Sequence, residues 1–141
     1  YSDVLIDYKA DWQRNHFQTF VSVYGNAPWF QHYSLELENL FKQKPAKLFE
    51  WNMICFNWVV KKLKLSNSIT VHEVELIDET HCEKCFDFYL PSNYSNEEKG
   101  PFLIYSQVFQ SKIGFKPNLS ILDLMLNEGP NARNIILSFI K

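Results

Sequence analysis

Trp12 and His16 lie four residues apart in a stretch of helical spacing, so their side chains share a face, with Gln13 and Phe17 on the neighbouring stripe. An imidazole beside an indole is a positioned acid–base group whose proton affinity burial can tune. The competing reading, which composition alone favours, is a helix histidine partly covered by an aromatic ring. A second concentration of chemistry is Gln107-Val108-Phe109 followed by Gly114-Phe115-Lys116-Pro117-Asn118-Leu119-Ser120. This stretch delivers a constrained loop to a helix start, where free backbone N–H groups and the dipole favour a phosphate or carboxylate; Lys112 or Lys116 could add charge. Asn118 and Ser120 read equally well as caps. A third is His81 with Cys82-Glu83-Lys84-Cys85, which could supply three zinc ligands or a dithiol pair. No fourth ligand stands at a matching spacing, so exposed loop residues are the competing reading and no metal site is expected. Phosphate-binding glycine motifs and the nucleophile elbow are absent, and no motif names a cofactor.

The elements that must position these groups follow from periodicity. Val4 to Ile6 suits a short edge strand, and Asp11 is placed to cap a helix carrying Trp12, Phe17, Phe20, Val21 and Tyr24 up to the stop at Gly25-Asn26. Pro28 starts a helical turn, and Ser34 caps a further helix through Phe41. Pro45 opens the strongest helix, with Leu48, Trp51, Ile54, Cys55, Trp58, Val59 and Leu63 at spacings of three and four. Ile69 to Leu76 alternates with period two and predicts a half-exposed strand. From Asp78 to Gly100 the chain is polar and irregular, a lid or insertion with a short strand at Phe86 to Leu90. Phe102 to Tyr105 predicts a strand leading into a helix at Ser106 to Phe109. Ser120 and Asp123 make a capping-box-like start for Ile121 to Leu126, and Gly129-Pro130 ends that helix and begins another through Phe139. The fold class expected is α/β, a small sheet with packed helices.

Composition bounds the rest. With 141 residues, 46% hydrophobic and 21% charged, the chain is expected to form a single domain, 1–141. The 16% aromatic content fits core packing first and pocket lining second. A net charge of −2 and a pI near 6.1 give no field for nucleic acid or an anionic membrane. No apolar run is long enough for membrane insertion. Three cysteines are too few and odd in number for a disulfide scaffold, so a reducing cytoplasm is the expected home.

Three separated stretches resemble the WbqC-like family. They are Asp3 to Asp7 with Asp11-Trp12-Gln13-Arg14-Asn15-His16 and Val23 to Phe30; Leu48 to Asn52; and Tyr105 to Phe109 through Gly114-Phe115, Asn118 to Leu124 and Asn127 to Pro130. The last is the most specific of the three. The family begins with a Q-P-x-Y-x-P stretch and an Asn-Arg pair that do not occur here, so the chain reads as a C-terminal portion, incomplete at its N-terminus. Asp78 to Gly100 departs from the family pattern, which argues against giving Cys82 and Cys85 a role.

The resemblance implies a cytosolic step in O-antigen or surface-polysaccharide assembly, on a nucleotide-activated amino sugar or a related carrier; the reaction expected of it is a group transfer onto the amino sugar. Together with the residue reading it makes His16 the acid–base group and Trp12, Tyr24, Gln107, Asn118 and Ser120 the substrate-binding set. The alternative is a non-enzymatic binding or scaffold protein that docks a protein partner on its aromatic surface. Convergence of Trp12, His16, Tyr24, Gln107 and Asn118 on one pocket favours the enzyme; an open aromatic patch favours docking.

Overall fold

A computed structural model describes residues 3–65 and 102–139. In chain order it has α1 (Trp12–Tyr24), α2 (Phe30–Phe41), α3 (Leu48–Lys62), α4 (Gln110–Ile113), α5 (Ile121–Glu128), a 3₁₀ turn (Gly129–Asn131) and α6 (Ala132–Phe139). The described residues form helices and no strand, which corrects the α/β expectation. Val4 to Ile6 makes a single antiparallel bridge, Leu5 to Lys47, flanked by Ile6 N–H to the Ala46 carbonyl (3.0 Å) and Leu48 N–H to the Val4 carbonyl (2.9 Å). The ladder stops there because its partner turns into α3 at Leu48. Phe102 to Tyr105 forms no strand, and the short helix after it begins at Gln110, one turn later than expected. The expected strands at Ile69 to Leu76 and Phe86 to Leu90 lie outside the described residues.

The helices otherwise start and stop where local chemistry places them. Ser120 Oγ accepts from the Leu122 N–H at 3.3 Å and caps α5. Asp11 stands at the N-cap of α1 but makes no capping bond; its carboxylate faces Arg14 at 3.8 Å. Ser34 does not begin a helix. Its hydroxyl donates to the Gln31 carbonyl at 3.1 Å inside the continuous α2, a local bond that leaves the helix intact.

The core is built on α2 and α5. Phe30, Tyr33, Leu37 and Leu40 make one buried stripe at helical spacing, and α2 packs against both α1 and α5. Asp123, Leu124, Met125 and Leu126 are buried in succession, so α5 is surrounded on all sides. The apolar stripe of α3 is half-buried, and only Leu63 beyond its end is fully enclosed. Two tryptophans dock this helix: Trp51 packs edge-on against Trp12 (5.6 Å) and Trp58 against Tyr33 (5.9 Å). Trp58 Nε1 also donates to Glu36 at 3.0 Å. Lys62 pairs with the same carboxylate, and this bond chiefly holds Glu36 below the usual carboxylate range.

The junction of α5 and α6 depends on a missing side chain. Gly129 has φ +56°, and a Cβ there would lie 2.2 Å from the Trp29 indole. The Trp29 backbone N–H donates to the Leu126 carbonyl at 3.0 Å, which keeps the two segments close. Gly129→Ala therefore combines backbone strain with overlap on the Trp29 ring, and is expected to cost ~2–4 kcal/mol. Urea denaturation measures this. In the background of Trp29→Ala the same change should cost less, because only the strain remains.

Candidate functional site

The first half of α1 carries an aromatic cluster. Trp12 is half-buried, stacked on Tyr8 (6.1 Å) and meeting Trp51 edge-on; the exposed His16 ring stands edge-on to Trp12 at 5.4 Å and to Phe41 at 6.4 Å. The spacing of four that suggested a shared face thus produces direct ring contact. Tyr8 reaches this cluster because its hydroxyl donates to the Pro45 carbonyl at 2.7 Å, tying the N-terminal segment to the loop before α3. On the adjacent stripe Gln13 and Phe17, with Phe41 of α2, line an open groove of about 270 Å³.

The other end of α1 faces different chemistry. Tyr105 donates to Asp123 Oδ2 at 2.7 Å, and Asp123 is only 4% exposed. Burial, with the Asp123 carboxylate facing it, pushes the Tyr24 hydroxyl up to about 12. Burial and the bond to Asp123 raise Tyr105 as well. Two phenols therefore stay protonated around one carboxylate.

The loop before α5 is held from within. Gln107 donates through Nε2 to the Lys116 carbonyl (2.7 Å) and accepts through Oε1 from the Lys116 N–H (2.9 Å), a side chain serving as one rung of a ladder. Asn118 adopts φ +56°, a conformation asparagine tolerates, and Ser120 caps the helix. The positive end of α5 has a carboxylate of its own in Asp123, at its third position.

The structure thus brings Trp12 and His16 together, and groups Tyr24 with the Gln107 to Ser120 region through Asp123 and Tyr105. It does not join the two groups: eight residues, about 12 Å of helical rise, separate His16 from Tyr24. Sequence reasoning missed Tyr105 and Asp123. An acidic residue inside the apolar run Ile121 to Leu126 was the available signal; its capping-box reading drew it to the backbone instead of to a phenol. Among the described residues no group of His, Cys, Asp and Glu is placed to hold a metal ion. His81, Cys82 and Cys85 lie outside those residues. Burial raises the Cys55 thiol, which keeps it protonated and unreactive at neutral pH.

The sequence pattern of the WbqC-like protein family matches residues 1–91. This chain belongs to that family. No curated protein and no solved structure matches it. The WbqC-like match takes in Trp12, His16, Tyr24 and the whole groove. It runs on through Cys82 and Cys85, a stretch expected to depart from the family, and ends before the Gln107 to Pro130 block, expected to be its most specific part. Among the described residues of this WbqC-like protein no helix is long and apolar enough to cross a membrane.

The phenol pair makes stability pH-dependent with a definite sign. A tyrosine titrates at about 10 when unfolded. With Tyr24 raised to about 12, the folded state holds more protons between these values, so stability is full below the lower one and is lost as pH climbs through the upper. Urea midpoints should fall across this window, and less steeply in Tyr24→Phe. Tyr105→Phe removes a donor from a buried carboxylate and should cost ~1.5–3 kcal/mol already at neutral pH.

Proposed function

We propose that this WbqC-like protein performs a cytosolic step of surface-polysaccharide assembly, a group transfer onto a nucleotide-activated amino sugar in which His16 moves the proton. The observation that carries the reading is the exposed imidazole held edge-on by Trp12 and Phe41 on a rigid helix, inside the matched region. When the sugar's amine attacks an activated donor, the new bond to nitrogen forms and the donor's bond to its leaving group breaks, with the electron pair going to that leaving group. The N–H proton is lost to an imidazole beside it. Trp12 supplies an apolar ring at the same place, against which a sugar face can pack. Tyr24, Gln107, Asn118 and Ser120 have structural duties that compete with ligand contact, so Trp12 and His16 form the reacting face.

A non-enzymatic docking role is the second reading. It is favoured by the separation of His16 from the Gln107 to Ser120 loop, which leaves the aromatic face of α1 without the converging polar groups an enclosed site would have. His16→Ala and His16→Gln, expressed in cells that make the protein, separate the two. The enzyme reading expects a loss of the modified sugar in the surface glycan of about a hundredfold, with circular dichroism unchanged. Unaltered glycan structure and level in both variants would remove the catalytic role and leave docking.

A further inference from the structure

We propose that the groove between α1 and the C-terminal end of α2 binds a small anionic polyol, of the size and chemistry of a hexose phosphate. This site lies on the stripe next to Trp12 and His16 and does not depend on His16 acting as a base.

The lining has three parts, each selecting one feature of such a ligand. Phe17 and Phe41 give an apolar floor for the face of a ring. Arg14, Lys42 and Lys44 outnumber Asp11 and Glu38 around it, three cations to two carboxylates. Lys42 is held by Glu38 at 2.7 Å and Arg14 lies a loose 3.8 Å from Asp11. Lys44 has no carboxylate partner among the described residues; its ammonium rests 5.9 Å from the Tyr8 ring centre, a contact that leaves its charge available. Lys44 and Arg14 are therefore the cations ready for an anion.

The third part is Gln13, a polar side chain only 9% exposed. Its Nε2 donates to the Gln43 carbonyl, and because a carbonyl only accepts, this bond fixes which end of the amide points there. No donor from the described residues meets Oε1, which is not fully sealed from solvent, and Gln13 lines the groove. An acceptor among lining residues that also include Arg14 and Lys44 selects a ligand that has both a hydroxyl to donate and an anionic group. The volume of about 270 Å³ sets the size. It lies just below the ~300–1,000 Å³ of pockets for drug-sized ligands, which suits a single ring with its phosphate.

Calorimetric titration of the intact protein tests this with glucose phosphates substituted at carbon one and at carbon six, inorganic phosphate, and glucose as probes. At least one glucose phosphate should bind saturably, about tenfold more tightly than inorganic phosphate, and more weakly as salt rises. The double variant Arg14→Gln/Lys44→Gln should lose about tenfold in affinity with its circular dichroism unchanged, while Lys61→Gln, an exposed control outside the groove, should bind as the parent does. Absence of saturable binding by both glucose phosphates would overturn the proposal. So would unchanged affinity in the double variant, or inorganic phosphate binding as tightly as the sugar phosphates, which would reduce the groove to a bare cationic patch.

Discussion

The structure hangs on one carboxylate. A charge as deeply buried as Asp123 costs several kcal/mol unless hydrogen bonds replace the lost water, and the groups that replace it come from distant parts of the chain. Tyr105 precedes α4, and Tyr24 closes α1; both present phenols to the same group. The amide of Asn127 returns one turn later to the Asp123 carbonyl at 2.8 Å, so the backbone of this residue is held as firmly as its side chain. Because the polar bond can be made on one side only, it sets the rotation of α5 about its axis. Leu124, Met125 and Leu126 are then directed into the remaining core. Apolar packing alone would specify that rotation less sharply, since a helix buried all round has no preferred outward face.

Much of the helical framework was legible because its signals are local. The stripe of α3, the stop at Gly25-Asn26, the cap at Ser120 and the Gly129-Pro130 break all arise from interactions within a few residues, which spacing and side-chain type record. The misreadings came from short segments. Val4 to Ile6 has the composition of a strand, but a strand needs a ladder, and its partner at Lys47 is committed to the start of α3. Ser34 has the side chain of a cap, but α2 is secured on both sides of it by Phe30 and Leu37 in the core, so packing overrides the local option.

The site was legible to the same depth. The contact of Trp12 with His16 is an i, i+4 relation and could be read directly. The contact of Tyr105 with Asp123 spans eighteen residues and depends on tertiary packing, so nothing local announces it. Gln107 shows the limit from the other side: its type and place suited a ligand, yet its amide is spent on both backbone groups of Lys116. A polar side chain in a constrained loop can stabilise the loop or serve a ligand, and only its partners tell which.

These two depths meet in α1. Its C-terminal end is anchored, through Tyr24, to the buried carboxylate of the central helix, while its N-terminal half presents His16 and the groove to solvent. A helix of thirteen residues between these ends transmits position well, because each intrahelical bond fixes the next residue, whereas a loop would absorb the same displacement in its dihedrals. The candidate site is held locally by Tyr8, Trp51 and Phe41, while the buried carboxylate holds the other end of the same helix. The buried polar bond fixes the rotation of the central helix, and α1 docks against that helix through Tyr24.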